Sequence, residues 1–283
     1  MPTKRQDSGA RIRSDAFPPR LRRGLYEAIF RRRDIRAFRR DPVPDEILAR
    51  LIVAAHHAAS VGFTQPWDFI LVRDLERRRE VHRMFERERL KNAAQFTGAR
   101  RGKFLALKLE GILEAPLNLI VTCEPGRFGP GVLGKVAIRE VEAYSTCLAV
   151  ANLWLAARAE GLGVGWVSIL RNDALRKIFA IPRRIIPIAY LCIGYAESFP
   201  DQPLLETAQW ASRLPPRKLL HFDSWDGAKG EDRPLAELVQ SAAIWRSIFT
   251  SKSPTEPPAT AADAAADSRR RARREASPAA PRL

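Results

Sequence analysis

Cysteine is scarce in this sequence, and its few cysteines follow no pattern. The 283 residues include three, Cys123, Cys147 and Cys192, and each lies in an apolar stretch. An odd number without paired spacing argues against a disulfide framework or a zinc site. We therefore expect three small buried side chains in a protein of the reducing cytoplasm, without a bound metal.

Long apolar runs are also missing. No run reaches the roughly 18 residues that a helix needs to span a bilayer, so a membrane protein is not expected. The N-terminus is rich in Arg and Pro with no apolar segment behind it, which argues against a secretory signal. Hydrophobic residues still make up 46% of the chain, enough for the core of one ordinary domain with extensions.

Acidic residues are the third deficit, because 32 Asp and Glu face 48 Lys and Arg, a net charge of +16. Such an excess is typical of nucleic-acid-binding proteins. Two basic clusters, at residues 1–23 and 269–274, hold much of it, and basic tails are usually solvated. We predict no specific nucleic acid partner and keep a polyanion-binding module acting through the tails as an alternative. An anionic small ligand explains the basic residues inside the domain equally well.

Composition divides the chain into four parts. Residues 1–18 are polar without periodicity and predict a flexible basic arm. Residues 251–283 are rich in Ala, Pro, Ser and Arg, cannot bury enough apolar surface to fold alone, and predict a disordered tail. A folded domain is expected at 19–228, followed by an extra helix within 229–250.

Helix and strand signals alternate inside the domain. Apolar residues at helical spacing predict helices at 25–32, 45–59, 75–92, 136–160, 172–179 and 235–249. Short apolar runs predict strands at 67–72, 118–123, 163–170 and 185–195. Pro187 suggests that pairing of the last strand starts after it, and Asn172 is a candidate N-cap. The polar, Gly-containing residues 94–103 predict a mobile loop. Long helices between few strands favour an α+β or three-layer α/β protein.

The first stretch with chemical character is the run Arg31-Arg32-Arg33-Asp34-Ile35-Arg36. The guanidinium fork offers paired donors to phosphate oxygens, so these arginines suit a phosphate-bearing ligand. Asp34 is unusual inside the run, and its local sequence also fits a surface salt bridge.

The second stretch runs from His56 to Trp67, where a helix ends in small residues and enters a loop. Gly62 lets the backbone approach a ligand closely, and Ser60 and Gln65 can hydrogen-bond to a polar ring edge. His56 and His57 point about 100° apart on a helix and cannot chelate one metal together, which favours a structural role.

The third stretch is the glycine-rich segment 161–168. It follows a helix and opens a strand, the reverse of the order in a dinucleotide-binding fingerprint. Its glycines permit a tight turn and close backbone approach. Ser168 ends the segment, and without a paired general base it is not expected to act as a nucleophile.

Together these stretches resemble the 5,6-dimethylbenzimidazole synthase branch of the nitroreductase-like flavoproteins. The resemblance spans roughly residues 25–226 and includes RRDIR, SVGF-x-QPW-x-F, KLEGI, residues 144–170 and YLCIGY with Trp210 and Arg213-Leu214-Pro215. Asp34 and Ser168 distinguish this branch from generic members. Three residues depart from its usual pattern, which has Pro, Met and Gly where this chain has Ala59, Thr64 and Gln209.

The resemblance implies an α+β fold: a nitroreductase-like three-layer α/β/α sandwich with a mixed, mainly antiparallel central sheet. It also implies a homodimer with two FMN sites at the interface. Arg32, Arg33 and Arg36 would hold the phosphate and ribityl chain with help from Arg213. The implied FMN-binding set also contains Asp34, Ile35, Ser60, Val61, Gly62, Gln65, Leu107 and Ser168. Of these, residues 60–62 and Gln65 would line the isoalloxazine ring, and residues 94–110 would form a lid with Leu107 near the flavin.

The implied activity consumes the flavin. Reduced FMN and O2 would yield 5,6-dimethylbenzimidazole, the lower ligand of cobalamin, and erythrose 4-phosphate. Asp34 would act as the acid/base group and Ser168 would hydrogen-bond to the ring. A separate flavin reductase would be the functional partner, so that NAD(P)H takes part indirectly. The alternative is an FMN-retaining, NAD(P)H-dependent nitroreductase or flavin reductase.

Overall fold

The computed structural model describes residues 16–225, 234–242 and 244 of the chain. It divides into two compact units, one formed by residues 27–214 and the other by the two ends of the chain, residues 1–26 and 215–283. The predicted domain at 19–228 is wider than the first unit and stays a prediction.

The described residues form α-helices, short 3-10 helices and four β-strands. The α-helices are α1 (Pro19–Arg31), α2 (Asp45–His56), α3 (Leu75–Ala93), α4 (Gly98–Ala106), α5 (Val141–Ala159), α6 (Asn172–Phe179), α7 (Leu204–Thr207) and α8 (Pro234–Leu238). Short 3-10 helices cover Val61–Phe63 and Pro216–Leu219. The strands are β1 (Trp67–Val72), β2 (Leu117–Cys123), β3 (Leu162–Val167) and β4 (Ile186–Tyr195).

The sheet has the strand order β1-β2-β4-β3, and each of these neighbouring pairs is antiparallel. One isolated parallel bridge joins Asp34, outside the named strands, to Val164 of β3. The expectation of a mixed, mainly antiparallel sheet is therefore confirmed.

Helices cover both faces of the sheet because the side chains of its strands alternate. Leu119 and Leu191 point to one core, which α2 and α5 complete. Ile120 and Tyr190, each one residue away, point to a second core with residues of α3 and α6. Two cores on opposite faces make the three-layer sandwich that the resemblance implies.

Several predicted elements match, and the mismatches have local causes. Strand β1 and helix α6 have the predicted bounds, and α2, α3, β2 and β4 differ from theirs by one to three residues at an end. Helix α1 begins six residues early, at Pro19, since proline is well tolerated in the first turn. Helix α5 begins at Val141 rather than at Val136, and β3 ends at Val167 rather than at Leu170.

The predicted mobile loop at 94–103 is wrong, because α4 begins at Gly98. Phe104 of α4 is buried, with its ring centroid 5.3 Å from that of Phe96 and 6.1 Å from that of Trp210. Trp210 lies more than a hundred residues away in the sequence. A tertiary aromatic contact therefore stabilises a helix whose local sequence is polar.

Two expectations for single residues of the sheet region are also wrong. Pro187 lies within the paired region, opposite Thr122, and the register shift there leaves Ile188 as the extra residue of a β-bulge. Asn172 does not cap α6, since Arg171 is the N-cap residue and the Asn172 amide donates to the Pro187 carbonyl at 3.2 Å.

The three cysteines are free, as expected, but they are not all buried. Cys123 and Cys192 lie in the sheet, and burial raises the pKa of Cys192 to about 12. Cys147 is exposed on α5, which corrects the third expectation. Ala149 and Val150 are buried on another face of the helix, whereas Cys147 and Leu148 share an exposed face.

The described residues of the smaller unit are 16–26, 215–225, 234–242 and 244. Helix α8 lies within the helix expected at 229–250, while residues 229–233, 243 and 245–250 lie outside the described residues. So do residues 1–15 of the expected arm and the whole expected tail, 251–283. None of the described helices is long and apolar enough to cross a membrane.

Candidate functional site

The segment after α1 crosses the edge strand β3 at very short range. The Ile35 amide donates to the Val164 carbonyl at 3.0 Å. A Cβ on Gly165 would lie 2.1 Å from the Ile35 carbonyl oxygen, and one on Gly163 would lie 2.9 Å from the Ile35 side chain. The predicted close backbone approach is thus confirmed, and the Ile35 side chain is buried in a core.

Asp34 is held beside the end of β3 by two partners. One carboxylate oxygen accepts the Trp166 amide at 2.9 Å, and the other pairs with the Arg36 guanidinium. Arg36 also donates to the Trp166 carbonyl at 2.7 Å. Burial raises the pKa of Asp34 above its ordinary value, against the opposing effects of Arg36 and of the Trp166 amide.

Asp34 faces a cavity of about 520 Å³, a volume typical of small-molecule sites. Four arginines and one carboxylate give the cavity a positive charge. The lining residues are Arg32, Arg33, Asp34, Arg36, Leu109, Trp166, Ser168, Pro203, Leu204, Leu205 and Arg213. Five of the residues expected at a phosphate-bearing ligand are therefore brought together with Ser168.

Two of the cavity arginines carry buried hydrogen-bond donors without a partner among the described residues. Burial lowers the pKa of Arg32, and the charges of Arg33 and Arg213 act in the same direction. The Arg36 Nη1 and Arg33 Nε atoms are buried without a hydrogen-bond partner among the described residues. A bound anion would relieve the repulsion and accept from these donors.

Three contacts hold the segment that carries Arg213. The backbone amide of Arg213 donates to the Glu206 carboxylate at 2.9 Å. Trp210 packs edge-on against Phe96 with centroids 5.1 Å apart, and the Arg100 guanidinium lies 4.7 Å from the Trp210 ring. Gln209, directly before Trp210, has φ +52°. This left-handed conformation explains why the resembling branch has glycine there.

Residues 60–65, which we call the ring loop, do not line this cavity. The Ser60 hydroxyl accepts the Gln65 amide at 3.1 Å, and the Val61 amide donates to the Ser145 hydroxyl at 3.1 Å. Gly62 has φ +50° and Gln65 has φ +43°. The structure thus separates the predicted FMN-binding residues into two sets within one chain.

Four leucines have positions that the motifs did not predict. Leu107 is buried at the end of α4, whereas Leu109, two residues on, lines the cavity. Leu109 lies in the KLEGI motif, which could have suggested it. Leu204 and Leu205 also line the cavity, and no local signal marks them.

His56 has a structural contact, since its Nδ1 atom accepts the Trp67 indole N–H at 3.2 Å. This agrees with the interpretation of His56 and His57 as non-chelating. Within the described parts of the chain, no group of three His, Cys, Asp or Glu side chains could hold a metal ion.

Comparison with known proteins adds a family to this geometry. The pattern of the nitroreductase family matches residues 29–195. A protein of Rhodospirillum rubrum named 5,6-dimethylbenzimidazole synthase is 42% identical over 200 residues, which cover 70% of this chain and 94% of that protein. A namesake from Rhodobacter capsulatus is 37% identical over 199 residues, covering 70% and 96%.

A solved structure shows the same fold. Iodotyrosine deiodinase bound to FMN and 3-iodo-L-tyrosine superposes with a TM-score of 0.53 at 24% identity, over 62% of this chain and 91% of that one. At this identity the likeness concerns the fold alone.

Proposed function

We propose that this oxidoreductase catalyses the reaction of the 5,6-dimethylbenzimidazole synthase branch of the nitroreductase family, the family and branch to which the chain belongs. Reduced FMN is the substrate, and its oxygen-dependent fragmentation yields 5,6-dimethylbenzimidazole and erythrose 4-phosphate. The product would serve as the lower ligand of cobalamin. The observation that carries the proposal is the cavity in which Asp34 and Ser168 lie together with four arginines.

The arginine-lined cavity suits the phosphate and ribityl chain of FMN. Arg32, Arg33, Arg36 and Arg213 supply charge for the phosphate, and the unpartnered donors of Arg33 and Arg36 supply hydrogen bonds. The side chains of Leu204 and Leu205 add an apolar part to the wall. This combination of fixed donors and an apolar wall is typical of sites that bind a phosphate-bearing ligand.

Asp34 is the proposed acid/base group. When bound, reduced FMN with dioxygen supplies the ring carbons of the product and the ribityl carbons from which protons must be removed. The Trp166 amide and Arg36 each occupy one carboxylate oxygen of Asp34, which fixes its orientation and leaves lone pairs for a proton. The pKa of the carboxyl is raised toward neutral pH, and a group with such a pKa can both accept and return a proton.

Ser168 is the proposed hydrogen-bonding partner of the ring. It follows the end of β3 and lines the cavity together with Asp34 and Trp166. Its hydroxyl can donate one hydrogen bond and accept two. In this role it orients the ring without forming a covalent bond, which agrees with the lack of a paired base in its local sequence.

A homodimer would bring the ring loop of one chain to the arginine cavity of another. Helix α5 supports this proposal, because it leaves Tyr144, Cys147, Leu148 and Ala151 exposed at i, i+3, i+4 and i+7 spacing. Such an apolar stripe on a helix needs a partner surface. We further propose that helix α4 and its flanks form the lid, and that a separate NAD(P)H-dependent flavin reductase supplies reduced FMN.

The direct test is to add chemically reduced FMN and air and to analyse the products by mass spectrometry. The protein should form 5,6-dimethylbenzimidazole, and Asp34→Asn should slow its formation by about 100-fold or more. Asp41→Asn is the matched control, since Asp41 also pairs with an arginine two residues away but does not line the cavity. Product formation by Asp34→Asn at the unmodified rate would remove Asp34 from the mechanism. A yellow protein that reduces nitroaromatics with NAD(P)H and forms no dimethylbenzimidazole would favour the nitroreductase alternative.

A further inference from the structure

One buried carboxylate lies outside the proposed reaction. Glu142, in the first turn of α5, is 1% exposed. Its Oε1 atom accepts the Gly126 amide at 2.9 Å, and its Oε2 atom lies 3.2 Å from the Lys135 ammonium. A buried charge is costly unless it is well paired, so a role for these two contacts is expected.

The two partners of Glu142 are the ends of one segment. We call residues 126–135 the strap. Gly126 and Gly134 have φ +82° and +81°, which lets the chain turn sharply at both ends. A single carboxylate therefore closes the strap at both ends, through one backbone amide and one ammonium group.

The strap lies directly against the ring loop. A Cβ on Gly62 would lie 2.7 Å from the Val132 Cγ1 atom and 2.9 Å from the Leu133 carbonyl oxygen. A Cβ on Gly134 would lie 3.4 Å from the Val61 Cγ2 atom. The space that Gly62 leaves open is thus taken by the strap of the same chain.

The same face of α5 also holds the ring loop itself. Ser145, one turn after Glu142, accepts the Val61 amide at 3.1 Å and donates to the Val141 carbonyl at 2.8 Å. Helix α5 therefore holds the strap with one side chain and the ring loop with the next. Leu133 of the strap is 84% exposed beside Gly62, which adds an apolar surface to that of the loop.

We propose that Glu142 is a positioning residue for the flavin ring: through Gly126 and Lys135 it presses the strap onto the ring loop and makes the two segments one wall. This inference rests on the proposed function, since it assumes that the ring loop receives a flavin. Glutamine at this position keeps an acceptor for the Gly126 amide but loses the attraction for Lys135. The end of the strap at Lys135 is then expected to detach from the ring loop.

Binding of three probes tests the proposal. Oxidised FMN, riboflavin and inorganic phosphate are titrated against the full chain, Glu142→Gln and Lys135→Met, with phosphate measured by competition. Both variants should bind FMN and riboflavin about 10-fold more weakly and phosphate equally well, because the arginine cavity is untouched. Glu140→Gln is the matched control, since Glu140 is exposed next to α5 and makes no side-chain cap bond.

Amide hydrogen exchange gives a second measurement that needs no ligand. In Glu142→Gln the amides of Gly126 and Val61 should exchange faster together, while those of β2 and β4 keep their rates. A merely structural role would accelerate exchange throughout the unit. Lys135→Met keeps the test decisive if Glu142→Gln does not fold.

Two results would overturn the proposal. One is unchanged riboflavin binding in Glu142→Gln and Lys135→Met, and the other is a loss of phosphate binding parallel to the loss of flavin binding. If the unmodified chain binds neither FMN nor riboflavin, the proposed function fails. The exchange of the Gly126 and Val61 amides still tests whether Glu142 holds the strap against the ring loop.

Discussion

The arginine cavity and the ring loop are built in different ways. Arg32, Arg33, Asp34 and Arg36 of the cavity belong to a segment whose backbone is bridged to β3, and glycines at 163 and 165 let it lie directly on the strand. The ring loop contains residues with positive φ angles, and its supports are the Ser145 side chain and the strap. A site anchored in a sheet keeps its geometry without ligand, whereas a loop held by a few side chains depends on each of them.

Two of the three departures from the branch pattern lie at the ring loop, and the third, Gln209, lies in the segment that carries Arg213. Ala59 and Thr64 border the ring loop or lie in it, and none of the cavity arginines departs. Thr64 is buried and its hydroxyl donates to the Val61 carbonyl at 2.8 Å, a bond that methionine could not make. In this chain the ring loop thus has an internal side-chain hydrogen bond at the place where the branch usually has methionine.

The largest effect is expected where the cavity segment meets the sheet. Gly165→Ala would place a Cβ against the Ile35 carbonyl oxygen, and the unfolding free energy should fall by about 3 kcal/mol or more. Chemical denaturation measures it. Gly102→Ala is the control, since nothing lies within 4 Å of a Cβ there and α4 should gain up to about 1 kcal/mol. Equal stability of the two variants would contradict the backbone-anchored view of the cavity.

The charge of the cavity is tested by Arg32→Gln. Loss of a charge-assisted bond to phosphate should weaken FMN binding by about 10- to 100-fold and leave riboflavin binding unchanged. Fluorescence titration at several salt concentrations measures both affinities. Arg31→Gln, the neighbouring residue that does not line the cavity, should bind FMN normally. A loss of riboflavin binding in Arg32→Gln would show that the two regions are not separable.

The ring loop is tested by Gly62→Ala. Its φ of +50° and the contact with Val132 should together reduce the unfolding free energy by about 2 kcal/mol. In contrast to Arg32→Gln, the variant should lose riboflavin binding and retain phosphate binding. Denaturation and competition binding check the two parts, and intact riboflavin binding would remove the ring loop from the flavin site.

A smaller effect is expected for Gln209→Gly next to the segment of Arg213. Glycine adopts φ +52° without steric cost, so the variant should gain about 1 kcal/mol in unfolding free energy. Thermal unfolding measures the gain. Gln202→Gly, at an exposed residue without a positive φ, should be neutral or destabilising. A destabilised Gln209→Gly would mean that the Gln209 side chain outweighs its backbone strain.

The smallest effect concerns pH. The pKa of Asp34 is raised on folding, so its contribution to stability is present in acid and is lost as the pH rises through the folded-state pKa. From acidic to neutral pH, Asp34→Asn should therefore become more stable relative to the unmodified chain. The hydrogen bond from Arg39 lowers the pKa of Asp41, so Asp41→Asn should show the opposite trend. Denaturation curves over this pH range decide between the signs.

The sequence by itself determined the features that depend on neighbouring residues. The apolar run 67–72 and the helical spacing of 172–179 led to elements with the predicted bounds, because period and propensity are local. Arg32, Arg33 and Arg36 were likewise found together, since they share one short segment with Asp34. The family resemblance added Ser168 and Arg213, which no spacing rule connects to that segment.

The tertiary structure alone decided what depends on residues distant in the chain. Helix α4 forms in a polar segment because Trp210 covers Phe104, and Cys147 is exposed because of its position on α5. The burial of Glu142 under the strap has no signal in its neighbours, since its partners Gly126 and Lys135 are brought to it by a turn of the chain. The separation of the ring loop from the arginine cavity belongs to the same class, because a sequence motif records which residues are present and not which of them share one wall.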